Sequence, residues 1–174
     1  MIEISMPHPA TVPTETLLKD CSVERTRRSG PGGQHRNKVE TAIVLTHRPT
    51  GVQAEASERR SQPENMAVAT FRLRVRLAVE VRSDVDLDAG PSESWRSRCV
   101  QQRIRVNPEH EDFPAVLAEA LDTLAACDWD VTTAAQKLGC SASQLGKFLQ
   151  LETPAFTVLN QQRVSRGLHV LKPR

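Results

Sequence analysis

The stretch that most constrains the fold begins at Ser61, where a helix-start signal precedes a long run without Gly or Pro. Ser61 is a candidate N-cap, Glu64 stands three positions later as in a capping box, and Pro63 suits the first helical turn. From Phe71 to Leu77, however, apolar residues and arginines alternate strictly, which by period alone indicates a strand. The start signal and the uninterrupted length favour a helix from about Pro63 to Val81. That helix leaves its three alternating arginines spread around much of its circumference.

Short strands are predicted before this helix. Residues 21–27 alternate weakly, and the β-branched run 41–47 is typical of a strand. Residues 52–56 return after the turn Pro49-Thr50-Gly51, which predicts a hairpin.

The flanking segments are less regular. We expect a further strand within residues 95–106 and a flexible, irregular N-terminus over residues 1–14, which contain Pro7, Pro9 and Pro13. Thr14 is a candidate cap for a short helical turn through Asp20.

From Phe113 onward, apolar residues recur at helical spacing. Asp130 opens a second helix that ends at Leu138-Gly139, Ser141 or Ser143 caps a third, and Pro154 begins a fourth. The sequence therefore predicts an α+β protein with two units. Residues 1–112 form a small mixed or antiparallel sheet with a long helix and a protruding glycine-rich loop, and residues 113–174 form a helical unit.

Charge is distributed unevenly along the chain, whose formal net charge is +2. Residues 23–105 contain 16 basic and 10 acidic side chains, whereas residues 106–174 contain 6 basic and 8 acidic ones. A basic excess either attracts nucleic acid or remains a solvated face. No apolar run approaches the ~20 residues of a membrane span, and the N-terminus lacks signal and transit features. We therefore expect a cytoplasmic protein without membrane contact.

The four cysteines, Cys21, Cys99, Cys127 and Cys140, are widely spaced and form no C-x-x-C pair. We expect free thiols rather than a disulfide framework or a zinc site. No metal and no cofactor are predicted.

Residues 28–38, Arg-Ser-Gly-Pro-Gly-Gly-Gln-His-Arg-Asn-Lys, form the candidate functional loop. Gly32 and Gly33 allow backbone angles closed to other residues and a close approach to a partner. The backbone N–H of Gln34 can then donate to a developing oxyanion, and such a donor is worth roughly 2.7–4 kcal/mol in acyl transfer. The Gln34 side chain cannot act as a base, and no catalytic triad or carboxylate pair stands out elsewhere. Much of the chemistry must therefore come from the substrate or a partner.

This loop, residues 42–52 and the run Glu58-Arg59-Arg60-Ser61-Gln62 closely resemble the catalytic domain of bacterial-type class I peptide chain release factors. Residues 95–98, Trp-Arg-Ser-Arg, resemble a segment of the same domain more weakly. The similarity thus covers roughly residues 15–106. The resemblance implies hydrolysis of the ester that joins the nascent peptide to P-site tRNA in the ribosomal peptidyl transferase centre. It also implies that the segment after Gln62 is helical.

The resemblance assigns roles to individual residues. Gln34 would be catalytic, with Gly32 and Gly33 giving it reach, and Gln34 would also be the target of N5-methylation by the release-factor glutamine methyltransferase. Ribosomal RNA or tRNA would be contacted by Arg27, Arg28, Ser29, His35, Arg36, Asn37 and Lys38. Arg59, Arg60 and Gln62 would brace the base of the loop or contact RNA. The implied partners of this chain, expected to be a monomer, are the ribosome, its rRNA and P-site peptidyl-tRNA.

Several features depart from the family. Arg36 stands where an aliphatic Val is usual, and the run from Glu58 to Ser61 carries an extra Arg. Since only roughly 20 residues precede the domain, we expect no codon-reading domain. The chain then resembles the short factors that rescue stalled ribosomes, although residues 163–174 are less basic than their tails. Two hypotheses follow: codon-independent peptidyl-tRNA hydrolysis, or a non-catalytic ribosome- or RNA-binding protein.

Residues 130–149 resemble a helix-turn-helix of the Fis type, with residues 141–147 as the recognition segment. Its second helix offers only Lys147 as a cation and the unit is net negative, so DNA binding is poorly supported. A helical cap that packs on the catalytic domain or binds protein is favoured over RNA contact. Trp129 and Phe148 are expected in the core.

Overall fold

The computed structural model describes residues 2–5, 7–26 and 41–173. Within them it has mixed helices and small sheets, which confirms the α+β prediction. The strands are β1 (Ile2–Ile4), β2 (Cys21–Thr26), β3 (Ala42–His47), β4 (Gln53–Ala56), β5 (Val81–Ser83), β6 (Cys99–Val100) and β7 (Arg103–Ile104). The helices are α1 (Thr14–Lys19), α2 (Gln62–Glu80), α3 (Glu93–Arg98), α4 (Phe113–Ala126), α5 (Val131–Lys137), α6 (Ala142–Leu149) and α7 (Thr153–Ser165).

The largest sheet is antiparallel, in the order β2-β3-β4, and contains the predicted hairpin. Strand β3 turns into β4 through a tight turn in which the Gly51 N–H donates to the His47 carbonyl at 2.8 Å. Gly51 has a φ of +72°, a left-handed conformation that glycine adopts without steric cost. The turn sets the register in which Leu45 faces Ala54, and both are buried beneath α2.

The long helix α2 lies between this sheet and α4. Its start is as predicted: Ser61 is the N-cap, its Oγ accepts from the Glu64 N–H, and Pro63 lies in the first turn. The strand suggested by the alternating residues is wrong because the helix is covered on two sides. Leu73 and Leu77 are fully buried, so that alternate apolar positions all find a packing surface.

The three alternating arginines of α2 extend to backbone carbonyls of neighbouring elements. Arg72 donates to the Glu55 carbonyl at 2.9 Å and Arg76 to the Gln53 carbonyl, both on β4. Arg74 lies on the other side and donates to the carbonyls of Ala10 at 3.0 Å and of Glu111 at 3.1 Å. Their aliphatic stems cover the helix while the guanidinium groups reach its edges.

The N-terminal segment, predicted to be irregular over residues 1–14, contains the short strand β1, whereas residues 7–13 contain no helix or strand. Strand β1 pairs in parallel with β5, and His8 is buried. The His8 Nδ1 accepts from the Ala10 N–H at 3.0 Å while its Nε2 lies 3.2 Å from the Val81 carbonyl. Burial lowers the pKa of His8 to about 4, so the ring is neutral and its Nε2–H donates to Val81.

The strand expected within residues 95–106 is present as the short pair β6 and β7, which begins only after the helix α3, capped by Ser92. One local prediction needs correction. The N-cap of α1 is Pro13 rather than Thr14.

The hydrophobic core is continuous across residue 112, where the sequence suggested a division into two units. The Trp95 and Phe148 rings pack edge to face with centroids 6.1 Å apart, and Phe113 packs on Phe148 at 5.7 Å. The Trp95 Nε1 also donates to the Leu138 carbonyl at 2.7 Å. Trp129 and Phe148 are buried, as predicted. The helical unit therefore packs firmly on the sheet-containing part, while the division at residue 112 stays a prediction.

A buried ion pair ties α4 to β5, the strand that directly follows α2. Arg82 donates to Asp122 Oδ1 at 3.1 Å, and the Ser83 hydroxyl donates to Asp122 Oδ2 at 2.7 Å. Burial raises the pKa of Asp122, whereas Arg82 and Ser83 act in the opposite direction. Among the described helices, none has both the length and the hydropathy to cross a bilayer.

Candidate functional site

The candidate loop is attached to two strands that end side by side. In the antiparallel pair β2–β3, Thr26 stands opposite Ala42, so the segment between them leaves and re-enters the sheet at one end. The predicted site residues on that segment lie outside the described residues: Arg27, Arg28, Ser29, Gly32, Gly33, Gln34, His35, Arg36, Asn37 and Lys38. Their assigned roles stay predictions. The described residues show what holds the base of the segment.

Asn65, in the first turn of α2, is the clamp at that base. It is fully buried, and its Nδ2 donates to the Thr41 carbonyl at 2.7 Å and to the Arg59 carbonyl at 3.1 Å. Its Oδ1 accepts from the Arg59 N–H at 2.9 Å. One side chain thus joins the return of the loop to the segment that leads into α2.

Sequence reasoning missed Asn65. The available signal was a lone amide among apolar positions at the start of an otherwise amphipathic helix. Buried polar groups of this kind are retained where they satisfy backbone groups that water cannot reach.

Arg59 and Arg60 lie beside this clamp. Arg59 is held by its backbone, through Asn65, and both arginine side chains are exposed. They therefore present charge to solvent next to the base of the loop, as a nucleic-acid contact requires. Gln62 begins α2 and is partly buried.

An ion pair between Arg72 and Glu58 also fixes the segment that leads into α2. Arg72 donates to both Glu58 carboxylate oxygens, at 2.6 and 3.2 Å. Glu58 Oε2 also accepts from the Ser57 N–H at 2.9 Å. Backbone hydrogen bonds at Glu58 and Ser57, assisted by Arg72, lower the pKa of Glu58. Arg72 is therefore a positioning side chain, and its charge is largely used within the protein.

The pair Cys21 and His47 does not form an alternative catalytic centre. Cys21 faces His47 across β2 and β3, but at ~3.4 Å per residue this pair lies roughly 17 Å from the loop. Burial raises the pKa of Cys21 and lowers that of His47, so neither a thiolate nor an imidazolium is favoured. A Cys–His nucleophile is therefore not formed there.

The other thiols and the acidic groups do not form a reactive site. All four cysteines are free, and burial raises the pKa of each, that of Cys140 to about 12. In the described ranges no group of His, Cys, Asp and Glu is placed to hold a metal ion.

The comparisons agree with the arrangement of the site. The RF-1 domain model matches residues 12–110, which include the loop-bearing strands, the Asn65 clamp and α2. The chain is 33% identical over 131 residues to "Peptide chain release factor 2" of Paramagnetospirillum magneticum, which covers 67% of this chain and 35% of that protein.

Other relatives match shorter segments of this chain. The chain is 38% identical over 110 residues to "Peptide chain release factor 1, mitochondrial" of Bos taurus, covering 60% of this chain and 24% of that protein. It is 41% identical over 78 residues to "Peptide chain release factor 1" of Acidiphilium cryptum, covering 45% and 22%. It thus spans well under half the length of these relatives. The matched residues and the loop between paired strands together place this chain in the RF-1 domain family, the catalytic domain of class I peptide chain release factors.

Proposed function

We propose that this chain hydrolyses the ester between the nascent peptide and P-site tRNA on the ribosome, without reading a codon, and so releases peptides from stalled ribosomes in the cytoplasm. The observation that carries the proposal is the RF-1 domain with Gly32-Gly33-Gln34 between two strand ends that share one end of the sheet. The paired strand ends and the Asn65 clamp fix the two points at which this segment joins the sheet.

The chemistry assigned to the loop needs few protein groups. Water attacks the ester carbonyl, the carbonyl oxygen becomes an oxyanion, and the backbone N–H of Gln34 donates to it. Gly32 and Gly33 bring that N–H close to the ester. The ribosome and the tRNA supply the remaining groups.

The proposed RNA contacts come from the loop segment and from the residues just before α2. Arg27, Arg28, Ser29, His35, Arg36, Asn37 and Lys38 would bind rRNA or the tRNA acceptor end, together with Arg59 and Arg60. The two last are supported by their exposure beside the Asn65 clamp. We also propose N5-methylation of Gln34 by the release-factor glutamine methyltransferase, and action as a monomer.

Codon independence is itself part of the proposal. Residues 113–173 form helices that pack on α2 and share its core. We propose that this helical unit contacts the ribosome in place of a codon-reading domain.

The test is peptide release from purified ribosomes that carry labelled peptidyl-tRNA in the P site and either an empty A site or a stop codon there. We expect release in both complexes at similar rates. Gln34→Pro removes the N–H donor and should lower the rate about 10²–10³-fold. Gln34→Ala keeps that donor and should lower the release rate by a smaller factor.

The matched control is Gln161→Ala, which removes an exposed glutamine side chain from α7 and should leave release unchanged. Wild-type release no faster than release without protein, despite binding to the ribosome, would favour the non-catalytic alternative. Release that requires the stop codon would contradict codon independence alone.

A further inference from the structure

A groove of about 480 Å³ opens in the C-terminal helical unit. One side is formed by the start of α5 and by α6, and the other by α7 and the chain that follows it. We call it the α6 groove, and its lining includes Thr132, Ser143, Gly146, Lys147, Arg163 and Lys172. Its volume falls within the ~300–1,000 Å³ typical of ligand sites, which is enough for a sugar–phosphate unit.

The charge of the α6 groove differs from that of the helical unit as a whole. Lys147, Arg163 and Lys172 line it with a single carboxylate, that of Asp130. Asp130 Oδ2 is occupied as the cap of α5, accepting from the Thr133 N–H at 2.8 Å and from its hydroxyl at 2.7 Å. The groove therefore carries an excess of positive charge.

Several acidic residues of the helical unit do not line the groove. Three of them bind partners within the protein, in the pairs Arg98–Asp112, Arg82–Asp122 and Ser92–Glu119. Lys147 and Lys172 have no ion pair with any described residue and are exposed. The sum of charges over residues 106–174 thus hides a cationic groove, because charge placement rather than net charge determines the local potential.

The floor of the groove is a glycine inside a helix. Glycine costs about 1 kcal/mol relative to alanine at such a position. A Cβ built on Gly146 would meet no atom within 4 Å, so packing within the protein does not require glycine there. The open space above Gly146 also allows a partner to approach the α6 backbone closely.

The outer wall of the groove is the chain after α7, which is fixed to that helix. The Asn160 Nδ2 donates to the Leu171 carbonyl at 3.1 Å, and the Leu171 N–H donates to Asn160 Oδ1 at 2.8 Å. Arg163 donates to the carbonyls of His169 at 2.9 Å and of Trp129 at 2.8 Å. Lys172 is thereby held beside the groove.

We propose that the α6 groove binds the sugar–phosphate backbone of single-stranded RNA. Three cations around a narrow floor match a phosphate chain. A duplex fits less well: a major groove admits a single bare helix, whereas here residues 170–172 share the groove with α6. The choice of RNA over another polyanion rests on the proposed action at the ribosome.

The experiment measures binding of the full-length chain to a short fluorescein-labelled oligouridylate by anisotropy, over a series of KCl concentrations. The slope of log Kd against log[KCl] reports the number of phosphate contacts, at about 0.7 per contact for a single strand. Lys147→Gln and Lys172→Gln should each reduce the slope by about 0.7 relative to wild type. The matched control is Lys19→Gln, which removes an exposed lysine on α1 and should leave the slope unchanged.

Two further variants separate binding from folding. Gly146→Gln fills the floor and should weaken RNA binding several-fold while the thermal midpoint stays the same or rises, since glutamine is the better helix former. Asn160→Ala frees the wall, so that Lys172→Gln in the same chain should add little further loss.

Equal slopes for the groove variants and Lys19→Gln would overturn the proposal. So would groove-dependent binding of poly-glutamate, which would assign the groove to an acidic peptide, or a groove-dependent preference for duplex DNA. Because the assay needs no ester hydrolysis, its outcome is distinct from failure of the release experiment.

Discussion

Asn65 provides the sharpest test of how the fold supports the loop. Its side chain makes three hydrogen bonds to the backbone, one with the Thr41 carbonyl and two with Arg59. Asn65→Ala removes all three while leaving the exposed face of α2 unchanged. The return of the loop to β3 and the segment before α2 then lose their shared anchor.

The expected cost follows from the three backbone groups left without a partner. Each buried group that loses its partner costs about 1–3 kcal/mol. The lower end applies here because the segment around Arg59 borders solvent. Three groups at about 1 kcal/mol each give a loss of about 3 kcal/mol in the free energy of unfolding. For a chain of this size that corresponds to a fall in Tm of about 6–12 °C.

Urea denaturation followed by circular dichroism measures the stability, and the release assay measures the function at a temperature where the variant is folded. We expect Asn65→Ala to release peptide more slowly even when folded, since the base of the loop is no longer fixed. Asn107→Ala is the matched control: Asn107 Oδ1 accepts only from the Glu109 N–H, in an exposed turn, so the loss should stay below about 1 kcal/mol.

Asn65→Asp separates the clamp from simple side-chain volume. A carboxylate still accepts from the Arg59 N–H but faces the Thr41 and Arg59 carbonyls without a donor. Only its protonated form donates, so this variant should regain stability as the pH falls. A loss under about 1 kcal/mol for Asn65→Ala, or a folded variant with wild-type release, would refute the clamp.

The remaining predictions concern the buried groups that anchor the N-terminus and α4. The pKa of His8 is lowered from 6.5 to about 4 by burial, so the unfolded chain takes up the proton first and stability present above pH 6.5 is lost as the pH falls towards 4. Between pH 7 and pH 5 the wild type should lose about 2 kcal/mol more than His8→Asn, as measured by urea denaturation at each pH; parallel losses would exclude His8 as the cause. Asp122→Ala leaves Arg82 charged and buried and should cost about 3–5 kcal/mol, whereas Arg82→Met with Asp122→Leu should be nearly neutral. A thermal scan showing the double variant to be as unstable as the single one would contradict this account of the pair.

The elements predictable from sequence are those whose signals lie within a few residues. The start of α2 was identified from Ser61, Pro63 and Glu64, and the β3–β4 hairpin from the turn before Gly51. Caps and turns form hydrogen bonds with residues only a few positions away. A short stretch of sequence is therefore enough to predict them.

The alternation of apolar residues and arginines along α2 was misleading because it, too, is a local pattern. Periodicity indicates a strand only if one face is buried, and the sequence cannot show that β4 and α4 cover opposite sides of one helix. That arrangement explains why Leu73 and Leu77 are buried while Arg72 and Arg76 reach carbonyls of β4.

The candidate site, too, could be predicted from the sequence only in part. Gly32-Gly33-Gln34 and the flanking residues identified the family from sequence alone, because the motif is contiguous. The Asn65 clamp and the cationic α6 groove required the tertiary structure, since Thr41, Arg59 and Asn65, or Lys147 and Lys172, are separated in sequence and meet only in the fold.

The sequence by itself thus determined the local elements and the Gly-Gly-Gln motif that identifies the family. The tertiary structure decided which strands pair, as β1 does with β5, which polar groups brace the loop, and where positive charge accumulates. The physical reason is that helix caps and turns are stabilised by neighbours along the chain. Buried hydrogen bonds and local electrostatic potentials depend instead on distances between residues that only packing brings together.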